Sequence, residues 1–350
     1  VNRVWWSRTV EAAIPDTNVN ARPARVVRRF RRFLESSPIT IVDVGGRGGL
    51  PGELAALAPH THVVAFEPDP EEAARLQAAL AGARVRSARV GDVALGPGGE
   101  TWALHVTREP GRSSLFEPNP AVIHRYGEAE AYDVVARRPV ATVSAADALT
   151  AMGVVDIDFM KLDVQGFELA VLESLDAARL ETLLMAECEV EFVEMYKAQP
   201  LFRHVDDWFS DHGFELFSLN RVFANRLGGR AIPYGRGQLV SGDAHYLRAG
   251  TDRLAPRALA KLILLAAYYG FTDYAAALYH SNRDRLDALA APERAEFEAF
   301  FSPYARSRPS IRGLGSVALR ILADRLLFDY LRLRRWNGLK SDSDRCYPTR

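Results

Sequence analysis

The chain has 350 residues, 48% of them hydrophobic and 25% charged, the balance of a globular protein long enough to bury a sizeable core. Its 44 basic and 44 acidic residues give a formal net charge of +0, which excludes the basic excess of a bulk nucleic-acid binder. Two cysteines, Cys188 and Cys346, are too few for a disulfide framework, no signal-like run opens the sequence, and no uncharged stretch reaches the ~18 residues of a membrane span, so a cytoplasmic protein is expected.

An arginine-rich segment comes first. Arg22, Arg25, Arg28, Arg29, Arg31 and Arg32 interleave with Val26, Val27, Phe30 and Phe33, the pattern of an amphipathic helix with a solvated basic face. The same pattern admits a peripheral membrane contact. From residue 39 strands and helices alternate. Residues 39–44 are a β-branched run ending in glycines, hence a buried strand, and residues 50–58 read as a short helix with Pro51 in its first turn. Residues 63–67 form the second strand. Asp69 then caps a helix that has Pro70 at its first position and Glu71 and Glu72 at its positive end. A third strand is predicted at 85–90 and an extra one at 102–106, followed by a long connection, 108–135. Ser144 and Asp147 have capping-box spacing. Strands at 157–162 and 183–189, a helix at 204–212 stopped by Gly213, and a closing strand pair at 214–219 and 244–247 complete the alternation.

This order predicts an α/β fold: a mostly parallel sheet covered on both faces, closed by an antiparallel strand, with ligands beyond the carboxyl ends of the strands. After Gly250 the patterns are helical, at 256–269, 272–280, 292–301 and 316–335. Three units are therefore expected. Residues 1–38 are an N-terminal helical extension, 39–250 the sheet domain, and 251–350 a C-terminal helical region that covers the site or makes a homo-oligomer.

The chemistry starts at Asp43-Val44-Gly45-Gly46-Arg47-Gly48-Gly49. A strand delivers glycines, which permit positive φ and close backbone approach, into a turn whose amides face a ligand. Gly45, Gly46 and Gly48 are the expected cradle. Glu67 ends the next strand about 20 residues on, the spacing at which a carboxylate takes both ribose hydroxyls. A dinucleotide site wants G-x-G-x-x-G. Read from Gly46 that pattern fails at Pro51, and read from Gly45 it fails at Arg47, which argues against the alternative of an NAD(P)-dependent oxidoreductase. S-adenosylmethionine has no pyrophosphate and asks less of the loop, and Asp43 is placed to anchor the loop or the methionyl amine. Asp92, after the third strand, stands where methyltransferases often carry an acid that accepts from the adenine amino group, and is a candidate for that role.

Five segments in this order resemble the FkbM-type methyltransferases: the loop from Asp43 to Gly49, Phe66-Glu67-Pro68, Val93-Ala94-Leu95-Gly96, Lys161-Leu162-Asp163-Val164-Gln165-Gly166-Phe167-Glu168, and the run from Tyr196 to Phe202. The resemblance covers about residues 40–248, and the Lys161 to Glu168 block is its most specific part. It implies a Rossmann-like class I methyltransferase fold, S-adenosylmethionine, and O-methylation of a sugar or natural-product hydroxyl. The chain departs from it at Arg47, where many such loops have glycine, and at Gln165, where the family often has glutamate.

Removing a hydroxyl proton calls for a base, and carboxylates gather where the fourth and fifth strands end. Asp163, Glu168 and Glu187 are the catalytic candidates. Strand alternation puts Glu187, Glu189 and Glu191 on one side, and Asp163 with Glu189 could instead hold Mg²⁺ or another hard cation. Ser114 in the long connection is a candidate cofactor contact; Gln165, Tyr196 and Gln199 are candidates for the acceptor wall. His212 reads as a dipole partner at a helix end, and His245 has no visible partner. The partner is a small hydroxylated acceptor, a saccharide above all, with no nucleic acid. A non-catalytic module that keeps the cofactor loop is the remaining alternative.

Overall fold

A computed structural model describes residues 23–127, 129–229, 237–305 and the pair 341–342. In chain order they form α1 (Pro23–Arg29), α2 (Arg31–Ser36), β1 (Ile39–Val44), β2 (Thr61–Phe66), α3 (Pro70–Gly82), β3 (Ser87–Gly91), β4 (Ala94–Leu95), β5 (Thr101–Thr107), α4 (Pro120–Ile123), β6 (Val134–Val143), α5 (Ala145–Ala151) and β7 (Phe159–Leu162). Then follow α6 (Glu168–Glu173), α7 (Ala177–Thr182), β8 (Met185–Glu191), α8 (Phe202–Asp211), β9 (Phe214–Ala224), β10 (Gln238–Arg248), α9 (Pro256–Tyr268), α10 (Thr272–Ser281), α11 (Arg283–Leu286), α12 (Ala291–Ala305) and β11 (Ser341–Asp342).

The main sheet has the order β11-β9-β10-β8-β7-β1-β2-β3. Strands β3, β2, β1, β7 and β8 are parallel, and β10 runs antiparallel to both β8 and β9. The chain winds one way from β1 to β3 and then crosses to β7, so the order reverses between β1 and β7. A crevice opens above the carboxyl ends of the strands at such a reversal. This is a Rossmann-like α/β arrangement, the one the order of elements in the sequence predicts. A second, small sheet, β4-β6-β5, stands beside it.

One face of the main sheet changes character along the strands. Ile41, Phe159, Met185 and Leu247 lie side by side in register and are buried. Two residues on, where alternation returns to the same face, the register brings together Asp43, Lys161, Glu187, His245 and Ser218. The lower rung is core and the next is charged, so the site begins one rung above the hydrophobic floor.

That floor is shared by distant segments. Helix α9 is buried almost all round, from Leu259 to Tyr268, as a central helix must be. Its exception, Lys261, places Nζ 2.6 Å from Asp158 Oδ2, and Asp158 also accepts the Thr40 amide at 2.8 Å. Phe30 and Phe33 meet Phe297 at 4.6 and 5.2 Å between ring centroids, and the Glu296 carboxylate accepts the Arg32 and Phe33 amides at the start of α2. Residues 23–36 and 251–305 thus close over the same core as β1, β2 and β7.

Several expectations change here. The apolar face of the arginine-rich segment is consumed by this core, so Val26, Val27, Phe30 and Phe33 have no free face to offer a membrane. Residues 50–58 form 3-10 turns, at Gly52–Leu54 and Ala58–His60, instead of an α-helix. Gly48 and Gly49 enter with positive φ, and Pro59 has no amide to continue a helix. Strand β6 was not anticipated because Arg137-Arg138-Pro139 interrupts its pattern, yet it pairs with β5 along its length. The segment 316–335 and Cys346 lie outside the described residues. Among the described residues, no helix is long and apolar enough to cross a membrane.

Candidate active site

The glycine turn sits over the order reversal. The Gly45 amide donates to the Phe66 carbonyl at 3.0 Å, and its φ is +82°. A Cβ there would lie 2.0 Å from the Asp163 carbonyl oxygen, so only glycine lets the loop lie against the turn after β7. At Gly48, φ is +94° and the space a side chain would fill is open for 4 Å. Gly46 closes on Asp43, with its missing Cβ 2.7 Å from Oδ2. Arg47 turns away to Glu72, 3.6 Å off, which accounts for its tolerance in the loop. Glu67 is buried at the end of β2, and its Oε1 accepts the Asp69 amide at 2.9 Å. Burial raises its carboxyl from the ordinary value, opposed by the Asp69 amide and Arg47. Asp92 is exposed just beyond β3, whose Gly91 carbonyl accepts the Glu67 amide at 3.0 Å.

Asp43 is only 3% exposed, and among the described residues its Oδ1 has no hydrogen-bond partner. Burial pushes its carboxyl up to about 7; Lys161 opposes this and Asp163 and Glu187 add to it. A carboxyl with a raised folded value binds its proton more tightly when folded. Its penalty therefore develops as pH rises from the ordinary carboxylate range and is complete above about 7. Asp43→Asn should gain stability relative to wild type as pH rises from about 5 to 8, read as the difference in urea midpoints, and a pH-independent difference would contradict the assignment.

The turn after β7 is held from every side. Lys161 Nζ lies 3.2 Å from Asp163 Oδ2, and Gln165 Nε2 donates to Asp163 Oδ1 at 3.1 Å and to Glu189. Gln165 has φ +56°, a conformation that costs a non-glycine residue energy and persists only when its surroundings impose it. They do: Ser114 Oγ donates to its carbonyl at 2.7 Å, and the Tyr196 hydroxyl lies 2.9 Å from its Oε1 and 2.8 Å from the Arg112 carbonyl. Glu168 Oε1 accepts the Val164 and Gly166 amides at 2.8 and 3.2 Å. Burial raises Glu168 to about 7 against the pull of those amides.

Burial also disfavours charge on Asp163, but Lys161, then hydrogen bonds from Glu189 and Gln165, outweigh it and hold the carboxyl below its ordinary value. Its side chain is nonetheless 40% exposed, so the ionised group faces the cleft. Glu189 and Glu191 behave oppositely. Burial first, then neighbouring carboxylates, pushes both well above the usual range.

The expected cation site at Asp163 and Glu189 does not fit a metal. The Gln165 amide, a hydrogen-bond donor, stands between the two carboxylates, and Lys161 supplies the positive charge. Among the described residues, no group of three or more His, Cys, Asp or Glu side chains is arranged to hold a metal ion.

The remaining candidates separate. Glu187 lies a rung below the turn, its Oε2 3.3 Å from His245 Nε2, while His245 Nδ1 is 3.1 Å from Ser218 Oγ. His245 therefore has two partners where none was expected, and both were invisible because they come from other strands. Ser114 is buried with its hydroxyl engaged by the Gln165 carbonyl and the Phe116 amide. Tyr196 and Gln199 are buried too; Gln199 Oε1 accepts the Tyr196 amide at 2.5 Å, and its Nε2 has no partner among the described residues. The 108–133 connection rests on this loop through the Asn119 amide to the Met195 carbonyl and the Lys197 amide to the Glu117 carbonyl, both 2.8 Å. His212 donates Nδ1–H to the Trp208 carbonyl at 2.7 Å.

Sequence reasoning missed Glu53, Arg112, Asp243 and Tyr269. The Arg112 guanidinium lies over the Tyr132 ring, 5.3 Å from its centroid, beside this turn. Asp243 had a signal, since it alternates with His245 on the closing strand. Tyr269 had none, because it reaches the site from the end of α9.

A family model described as the methyltransferase FkbM domain matches residues 43–216. Among solved structures, a precorrin-6y C5,15-methyltransferase from Geobacter metallireducens is 9% identical, with 65% of this chain and 87% of that chain covered and a TM-score of 0.31. Magnesium protoporphyrin IX methyltransferase from Synechocystis with bound S-adenosylmethionine is 10% identical, at 65% and 79% coverage and a TM-score of 0.31. An rRNA methylase from Streptococcus thermophilus is 10% identical, at 64% and 97% coverage and a TM-score of 0.31. No curated protein matches the sequence. The glycine turn, the acid at the end of β2 and the Lys161 to Glu168 turn all fall within the matched span, and the chain belongs to the FkbM methyltransferase family of S-adenosylmethionine-dependent enzymes.

Proposed function

We propose that the enzyme methylates a hydroxyl of a saccharide or comparable small metabolite, with Asp163 as the proton acceptor. The observation that carries this reading is the state of Asp163. It is a carboxylate kept ionised by Lys161 and Gln165, open to the cleft, and set against Gly45 of the cofactor loop. S-adenosylmethionine supplies an electrophilic methyl on a sulfonium. The residues fit it: an open turn at Gly48, the Glu67 carboxylate at ribose spacing, and Asp43 Oδ1 without a donor.

In this reading Glu67 takes the ribose hydroxyls and Asp92 borders the adenine. Glu168 is a positioning residue, since its carboxylate braces the Val164 and Gly166 amides. Gln165 and Tyr196 fix the turn so that Asp163 meets the acceptor hydroxyl in line with the methyl, and alignment of that kind contributes up to ~7–11 kcal/mol. Asp163 then receives the hydroxyl proton. A glutamate at 165 would add a third carboxylate beside Asp163 and Glu189, whereas the glutamine donates to both. Carboxylates around the cleft repel phosphates, which favours a neutral or cationic small acceptor over RNA.

We assign residues 39–250 as the methyltransferase unit and the flanking helices as the cover of one sheet face. Cys188 is buried and forms no disulfide among the described residues, which suits a reducing compartment, and we place the reaction in the cytoplasm. The test is a screen of mono- and oligosaccharides and hydroxylated natural products with labelled cofactor, followed by mass spectrometry of the product. Methylation only at nitrogen or only on RNA would refute the proposal.

A further inference from the structure

On the α9 side of the sheet, Asp43, Lys161 and Glu187 lie side by side in register, and Asp243 pairs with Glu189 on the next rung. Glu53, from the turn after β1, stays partly open to solvent and has Glu187, His245, Asp243 and Lys161 as its charged neighbours. The Tyr268 hydroxyl donates to the Glu53 carbonyl, which ties that turn to the end of α9. Tyr269, the next residue, stacks on Phe159 at 5.5 Å and lies 5.3 Å from the His245 ring. Its hydroxyl is buried with no partner among the described residues, and its charged neighbours are Glu187 and Glu53. The 3%-exposed Asp43, also with an unpartnered oxygen, stands at the β1 end of the row.

The imbalance is one of charge. Glu53 and Asp243 are pushed up to about 7 and about 6, by burial first and then by Glu187. Lys161 is already drawn to Asp163 at 3.2 Å, and the His245 ring is engaged by Glu187 and Ser218. S-adenosylmethionine brings a single net positive charge, which Asp43 and Asp163 can meet. Among the described residues, Glu53 and Asp243 have no ion-pair partner, Glu187 has the His245 ring alone, and the Tyr269 hydroxyl has no hydrogen-bond partner. A buried hydroxyl without a partner costs ~1–3 kcal/mol, a cost that a ligand, an ion or a water bonded to it offsets.

We propose that this group of side chains binds a primary ammonium group of the methyl acceptor, so that the acceptor is an amino sugar or another amine-bearing metabolite. Its three N–H groups donate to the Glu53 and Glu187 carboxylates and to the Tyr269 oxygen, and Asp243, on the next rung, adds its negative charge. This rests on reading the crevice as the acceptor site.

The test is calorimetry on the full chain saturated with S-adenosylhomocysteine, titrated with 6-amino-6-deoxyglucose and with glucose. The amino sugar should bind at least about tenfold more tightly, and Glu53→Gln and Tyr269→Phe should each remove most of that preference. Affinity for S-adenosylhomocysteine should stay within about twofold in both variants. Tyr269→Phe should melt no lower than wild type, because it deletes an unpartnered hydroxyl, whereas a merely structural tyrosine would lower the melting point. Equal binding of the two sugars, or binding of neither, overturns the proposal. So does amino-sugar binding that occurs only without S-adenosylhomocysteine, since the cleft would then serve the cofactor's own amino group. Failure of the O-methylation reading is separate: no hydroxyl is methylated, while the binding preference stands.

Discussion

Asp163→Asn should lower kcat by roughly 10²–10⁴-fold, the usual contribution of a positioned base, while S-adenosylmethionine still binds. The substitution keeps shape and the hydrogen bond with Lys161 but removes the proton acceptor. The split between kcat and cofactor affinity is the signature, because a structural role would weaken both together. The pH profile adds a second check. Lys161, Glu189 and Gln165 hold the carboxyl below its ordinary value against burial, so Asp163 remains ionised through the neutral range. The acid limb of wild-type kcat/KM should therefore lie below the ordinary carboxylate range and be lost in the variant. Full activity in Asp163→Asn would remove this residue from the mechanism.

Glu67→Ala should weaken S-adenosylmethionine binding by roughly 30- to 100-fold by calorimetry. That is the loss of one or two hydrogen bonds to a charged acceptor, about 2–3 kcal/mol. The side chain is buried, yet among the described residues Oε1 is engaged only by the Asp69 amide, so its removal should cost cofactor affinity more than fold stability. Unchanged affinity would place the ribose elsewhere. A large fall in melting temperature with affinity intact would make Glu67 a brace for the start of α3.

The parts legible in the sequence are those whose signal is local. Gly45 and Gly48 announce a turn because only glycine takes their φ without strain, and Asp69, Pro70 and the acids behind them announce a helix start. The block from Lys161 to Glu168 holds its own contacts, from Lys161 to Asp163 and from Glu168 back to the Val164 amide, within a few residues. Even there the cation reading finds no support, because the amide of Gln165 settles between Asp163 and Glu189 only when two strands are adjacent.

What only the tertiary structure decided is set by register and by chain return. Glu187 meets His245 because β10 pairs antiparallel with β8, and Ser218 meets His245 because β9 lies beyond β10. Tyr269 comes under the charged rung because α9 is apolar on nearly every side and must lie against the sheet, with Lys261 fixed to Asp158. By itself the sequence determined the fold class, the glycine turn after β1 and the acid at the end of β2, since backbone freedom and strand patterning are written in consecutive residues. The surroundings of Asp163, and with them its ionised state, come from burial and charges carried by separate strands, and those meet only when the sheet has formed.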